Sequence, residues 1–200
     1  RLLDPESSAY FIQMSFTLRG AFDVDCFRAA WEAVINRHAI LRTTFVRDGL
    51  PEPLQMVLRH RPVEFLVEDI SSTPASEHDR RIHDFCTQDV SRGFDLQNDP
   101  LVRFAVFRLG QIRHQVIWSY HHILIDGWSL GNLYGEFNRL YEARVHGTAD
   151  HLPPVRPYSR YIEWLKRFQA SAARTFWSER LAGIEQVTSI PVLPGARPEE

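Results

Sequence analysis

The chain has 200 residues, 44% hydrophobic and 12% aromatic, which is enough apolar material for a packed core. Its formal charge is −2, from 23 basic and 25 acidic residues, and no long basic run gives it a footprint for nucleic acid or an anionic membrane. No apolar stretch approaches the ~18 residues of a membrane span and the first residues show no basic region followed by an apolar stretch, so the expected location is the cytoplasm. Cys26 and Cys86 lack CxxC or Cys/His spacing and read as buried thiols of a reducing compartment. Arg1 at one end and Arg-Pro-Glu-Glu at the other read as the cut ends of a segment from a longer polypeptide.

Residues Tyr10 to Arg19 alternate, with Ile12, Met14, Phe16 and Leu18 on one face, which predicts a half-buried strand ended by Gly20. Asp23 is placed to cap a helix whose buried stripe is Val24, Phe27, Ala30, Trp31, Val34 and Ile35, ending near His38. Ile40 to Arg47 reads as a strand broken by Asp48-Gly49-Leu50-Pro51, and two short strands follow at Leu54 to His60 and Val63 to Asp69. Ala75 to Val90 predicts a surface helix with a narrow stripe of Ile82, Phe85, Cys86 and Val90. Leu101 to Leu109 and His114 to Tyr120 flank a turn and predict a hairpin. Ser129 is placed to cap a helix burying Leu130, Leu133, Tyr134, Phe137, Leu140 and Tyr141 and running to Gly147. Two more helices are expected near Tyr158 to Gln169 and Ala172 to Leu181, and Pro191 to Glu200 shows no apolar period. Strands and helices interleave, so the class is α/β.

The chemistry-bearing stretch is His121-His122-Ile123-Leu124-Ile125-Asp126-Gly127-Trp128-Ser129, at the end of the second hairpin strand. Histidine exchanges protons near neutral pH. Adjacent strand residues point to opposite faces, so one histidine supports and the other acts. Spacing alone equally allows both to be strand-end core residues. No metal is expected, because three or four ligands must converge and only Asp126 lies near the pair. No serine sits in a GxSxG elbow and neither cysteine has an activating context, which leaves a histidine acting on or orienting the substrate's own nucleophile. An Asp-Gly after a strand is often only a turn. The apolar neighbours Ile123, Ile125 and Trp128 instead predict a buried Asp126 carboxylate, which must find a cation. Arg42 is the expected partner and Arg37 the alternative, which makes Asp126 a brace and not a proton carrier.

His121-His122-Ile123-Leu124-Ile125-Asp126-Gly127 resembles the HHxxxDG signature of condensation domains of nonribosomal peptide synthetases. Arg37 to Phe45 resembles that family's RHxxLRTxF motif, and Phe94-Asp95-Leu96 followed by Asp99-Pro100-Leu101-Val102-Arg103 resembles its FDLxxxPLxR segment. Tyr158 to Trp164 resembles a later motif with Arg160 in place of the usual Asp, and Arg1-Leu2 resembles the tail of the first. The resemblance spans nearly the whole chain but only the N-terminal half of such a domain. It implies a chloramphenicol acetyltransferase-like lobe, a mixed β-sheet with flanking helices, over residues 1–183. Residues 184–200 would then cross toward a second, C-terminal lobe.

The resemblance further implies peptide bond formation between a donor thioester and the amine of an acceptor aminoacyl thioester. Both are carried on the phosphopantetheine arms of carrier proteins, with no cofactor bound directly. His122 would act on the amine, Gly127 would offer a backbone N–H to the oxyanion, and Trp128 and Ser129 would line the substrate channel. His121, Asp126, Arg42 and Arg37 would support the site. The implied partners are donor and acceptor carrier proteins, the C-terminal lobe and adjoining adenylation domains, with no nucleic acid or membrane. The motif is unlike those of the heterocyclising, epimerising and oxygenase-recruiting relatives and is most similar to the group joining an L-donor to an L-acceptor. One alternative is a free-standing acyltransferase of the same superfamily. Another is a non-catalytic lobe that binds carrier proteins. By itself the lobe is expected to be inactive.

Overall fold

The computed structural model describes residues 10–47, 49–167 and 170–184. The expectations for Arg1-Leu2 and for 191–200 therefore fall outside the described residues. The chain divides into two compact units, Arg1–Tyr158 and Ser159–Glu200.

The first unit is organised by a four-stranded sheet in the order β1 (Phe11–Arg19), β6 (Arg113–His121), β5 (Val102–Arg108), β4 (Glu64–Asp69). β6 pairs antiparallel with both β1 and β5, while β4 runs parallel to β5. A parallel pair needs a long crossover. Helix α2 (Ala75–Arg92) provides it. Helices α1 (Val24–Arg37) and α3 (Gly127–His146) pack against each other, and their apolar residues share one core with the opposite sheet face. With helices on both sides, β5 and β6 lose the usual alternation and read as almost unbroken buried runs. β2 (Thr43–Val46) and β3 (Leu54–Val57) form a separate two-stranded ribbon. The strand expected from Ile40 begins only at Thr43, because Ala39–Arg42 winds into a short 3₁₀ helix closed by Leu41 N–H on the His38 carbonyl, 3.0 Å.

The sheet face under α1 and α3 is aromatic. Trp31 packs between Trp118, Phe104 and Phe137 with ring centroids 4.7–4.8 Å apart. Phe27 meets Phe137 at 5.0 Å. Each such side chain taken from water contributes roughly 1.5–3 kcal/mol, so this layer carries most of the unit's apolar stabilisation. The helix stripes agree with the sequence periodicity: α1 buries Phe27, Ala30, Trp31, Val34 and Ile35, and α3 buries Leu133, Phe137, Leu140 and Ala143. Asp23 caps α1 by accepting from Cys26 N–H at 2.8 Å. α3 stops where Gly147 turns left-handed at φ 63°, a conformation that strains a side-chain-bearing residue.

The face under α2 is thinner and partly polar. Ile82, Phe85 and Cys86 reach Ile70, Ala105, Phe107 and Ile117. The helix stripe differs from the expected one at both ends. Val90 lies 38% exposed, whereas His78 and Asp89 are buried. His78 satisfies its Nε2 on the carbonyls of Ile70 at 2.9 Å and Thr73 at 3.1 Å, which secures the helix start to the loop before it. Polar residues at buried helix positions need such partners.

The second unit contains α4 (Ser159–Arg167) and α5 (Ala170–Arg180), where the two helices are expected, with α5 beginning two residues earlier and ending one residue earlier than its spacing predicts. Stacked rings run along α4, with Tyr161 and Trp164 5.8 Å apart.

Candidate active site

β6 carries the histidine pair out of the sheet. His121 is its last residue, bonded through N–H to the Leu101 carbonyl at 3.0 Å, and the His122 N–H reaches the Tyr10 carbonyl at 2.8 Å. Backbone alternation divides the two: His121 is buried and His122 is exposed. The chain then closes a tight turn through Leu124 N–H on the His121 carbonyl, 3.1 Å. Leu124 and Ile125, both buried, pin that turn to the core. The Ile123 N–H donates to His121 Nδ1 at 3.1 Å, which leaves the ring proton on Nε2. The His121 ring lies 6.1 Å from Tyr10 and meets Phe94 edge-on at 6.2 Å. His121 is therefore oriented by backbone and rings on several sides, while His122 stands in the open.

Asp126 is not the buried brace expected from its neighbours. Its carboxylate is exposed, as are Ile123 and, at 92%, Trp128, so the apolar residues expected to enclose it do not. Among the described residues no ion pair joins it to Arg42 or Arg37. It is instead the N-cap of α3, accepting from the Ser129 N–H at 2.8 Å and the Ser129 hydroxyl at 2.6 Å. These hydrogen bonds to the charged form hold its carboxyl below the ordinary value. Ser129, expected as the cap, is the capped residue three positions on, and its hydroxyl is spent on Asp126. Gly127 opens the helix, and a Cβ built there would meet no atom within 4 Å.

The two motif arginines hold other parts of the lobe. Arg42 donates Nη1 to the carbonyls of Leu58 and, at 2.9 Å, Arg59, which ties the start of β2 to the end of β3. Arg37 reaches the site indirectly. Its Nε bonds Glu136 on α3 at 3.0 Å and its Nη2 bonds the Pro153 carbonyl at 2.7 Å. His38 Nε2 meets the same Glu136 oxygen at 2.8 Å. Burial pushes the Glu136 carboxyl up, but the hydrogen bonds and charges of Arg37 and His38 outweigh it and hold it below the ordinary carboxylate value. The arginine-histidine motif thus fixes the helix that begins at Gly127, and Glu136 is a support residue that the sequence did not single out.

A second group was also missed. Under the α2 face, Arg103 and Asp89 are both buried and form an ion pair, Nε to Oδ1, at 2.5 Å. Arg103 also donates to the Gly93 carbonyl at 2.8 Å and the Asp89 carbonyl at 2.9 Å. The other Asp89 oxygen accepts from Gln13 Nε2 at 2.9 Å and from the Ser119 hydroxyl. The charge is therefore paired and its remaining lone pairs are used, as a buried carboxylate requires. Two signals stand in the sequence: Asp89 continues the spacing of Ile82, Phe85 and Cys86 on the α2 stripe, and Arg103 closes the motif segment that runs from Phe94.

No group of three or more His, Cys, Asp or Glu among the described residues converges to hold a metal ion. Both cysteines are free and half-buried, and burial pushes both thiols up. No helix among the described residues is long and apolar enough to cross a membrane. What the turn before α3 does present is one exposed imidazole, His122, ahead of a helix N-terminus.

A family model described as the condensation domain matches residues 1–199. Surfactin synthase subunit 2 of Bacillus subtilis (strain 168) is 41% identical over 198 residues, 98% of this chain and 5% of that protein. Tyrocidine synthase 2 of Brevibacillus parabrevis is 39% identical over 190 residues, 95% of this chain and 5% of that protein. Among solved structures, the starter condensation domain of rhizomide synthetase RzmA superposes with a TM-score of 0.78 at 21% identity, covering 91% of this chain and 44% of that one, a likeness of fold. The chain thus spans about a twentieth of the synthases it matches and under half of the solved domain. Condensation domains of such synthases form peptide bonds in nonribosomal synthesis. With the motifs, the fold and the family model in agreement, the chain belongs to the condensation domain family of the nonribosomal peptide synthetases.

Proposed function

We propose that residues 1–183 are the first lobe of a condensation domain and that 184–200 lead toward its second lobe. The reaction joins a donor aminoacyl or peptidyl thioester to the amine of an acceptor aminoacyl thioester, both tethered by phosphopantetheine to carrier proteins. The acceptor nitrogen attacks the donor carbonyl, the C–N bond forms, and the C–S bond breaks to release the donor carrier's thiol. One proton must leave the nitrogen. His122 holds the amine by a hydrogen bond or takes that proton. The observation that carries this reading is the division of the histidine pair, with His121 fixed and His122 presented on an exposed turn.

Gly127 lies at the N-terminus of the 20-residue helix α3, where backbone N–H groups and the helix dipole favour a developing oxyanion. Asp126 already engages the backbone N–H groups of Ser129 and Trp128, so that task falls to the Gly127 N–H. Trp128 stands exposed beside the turn and lines the path of a tethered substrate. Tethering raises the effective concentration of both reactants, so positioning supplies much of the rate. Donor and acceptor carrier proteins, the second lobe and adenylation domains are the partners, in the cytoplasm.

The test is His122→Ala in the intact condensation domain, loaded with donor and acceptor carriers. Dipeptide formation is expected to be lost while circular dichroism and melting temperature stay those of the wild type. Undiminished product from that variant would remove His122 from the reaction.

A further inference from the structure

We infer that Phe94 and Arg103 are positioning residues for His122, acting through His121; the inference rests on the functional reading above. Phe94 is 1% exposed and directly follows the Gly93 that ends α2. The Arg103 guanidinium lies over its ring at 4.1 Å, the His121 ring meets it at 6.2 Å, and Phe11 at 5.2 Å. The guanidinium is itself locked: its donors go to Asp89 Oδ1, the Asp89 carbonyl and the Gly93 carbonyl. Phe94 is therefore clamped between a fixed planar cation and the imidazole that shares a peptide bond with His122.

The chemistry of the clamp favours placement over stability. A buried ion pair adds little over apolar side chains filling the same space. Here it joins α2 and β5 directly, with β6 and β1 held through Ser119 and Gln13, where the sheet delivers the histidines. A flat guanidinium stacked on an aromatic ring also fixes orientation in a way that lysine cannot. His121 has its Nδ1 held by Ile123 N–H and its ring held against Phe94. Any tilt of Phe94 must then move His121, and with it the direction in which His122 leaves the strand.

The experiment uses the intact condensation domain with ¹⁵N-labelled histidine, in four forms: wild type, Phe94→Leu, Arg103→Lys and the control Phe107→Leu. Phe107 is equally buried on the same sheet face but packs with Phe85 on α2, 5.3 Å away, far along the strand from the histidine end. Two readouts are taken: the His122 ring resonances and the steady-state rate of dipeptide formation. Phe94→Leu and Arg103→Lys are expected to shift and broaden the His122 signals. They should lower kcat about tenfold to a hundredfold at unchanged KM, the scale of a small misplacement of a reacting group. Phe107→Leu is expected to lower the melting temperature but leave the His122 signals in place. Arg103→Lys keeps a cation beside Asp89, so it decides the matter if Phe94→Leu fails to fold. Wild-type His122 signals in the folded Phe94 and Arg103 variants overturn the inference, and so does an equal shift from Phe107→Leu. If the wild-type domain itself makes no dipeptide, the functional reading fails, while the ring resonances still judge the positioning.

Discussion

The two faces of the central sheet are built on different principles. Under α1 and α3 the sheet is covered by interlocking aromatic rings, Trp31, Phe104, Trp118 and Phe137 among them, where size and shape decide the fit. Under α2 a smaller apolar cluster gives way, toward the histidine end, to the Asp89–Arg103 pair with Gln13 and Ser119. Close packing tolerates no voids but has no preferred orientation beyond fit, whereas hydrogen bonds between charged groups prescribe angle as well as distance. The aromatic face supplies cohesion, and the polar end of the other face supplies direction where the site begins.

The largest effect should come from hollowing the aromatic face. Trp118→Ala leaves a cavity among rings that cannot collapse together, and a loss of about 3–5 kcal/mol in unfolding free energy, read by urea denaturation, is expected. The polar face should respond to charge and not to volume. Asp89→Asn removes almost no volume yet strands the Arg103 cation, and a comparable loss of about 3 kcal/mol is expected. The paired change Asp89→Leu with Arg103→Met should recover most of that stability. If Asp89→Asn melts like the wild type, the distinction between the faces is mistaken.

Smaller effects sharpen the same contrast at the helix that follows the site. Asp126→Ala removes the cap of α3 and should lower the melting temperature, whereas Asp126→Asn, which still accepts from Ser129, should lower it much less. Equal destabilisation by both would point to the charge and not the cap. The smallest change concerns pH. Glu136 has a folded value below its unfolded one, so its contribution is complete above the unfolded carboxylate range and is lost as pH falls through the folded value. Glu136→Gln should therefore flatten the acid limb of the stability curve slightly, most visibly at low salt, because the cluster is only partly buried.

The aromatic face was legible in the sequence because burial there follows apolar periodicity. The stripes from Phe27 to Ile35 and from Leu133 to Leu140 and the strand from Phe11 to Arg19 follow directly from spacing. The polar face was not, since nothing local distinguishes Asp89 or His78 from the solvent-facing residues around them; their partners lie on other elements. Apolar character points to Val90 as the buried residue, whereas Asp89 holds that position. At the site the histidine division was legible from strand alternation. For Asp126, neighbours in sequence are not neighbours in space: Ile123 and Trp128 are exposed, and the carboxylate serves its own helix.

The pairing of β1 with β6 has a consequence for how the chain is made. Gln13 and Ser119 share a hydrogen bond although they are 106 residues apart, and the strand register begins with Phe11 opposite His121. At a synthesis rate of ~5–20 residues per second, β1 waits on the order of ten seconds for its partner to leave the ribosome. During that interval Ile12, Met14, Phe16 and Leu18 have no sheet to cover them. A nascent chain stalled before residue 113 should thus be prone to capture by chaperones, and one extended past 121 should be released from them.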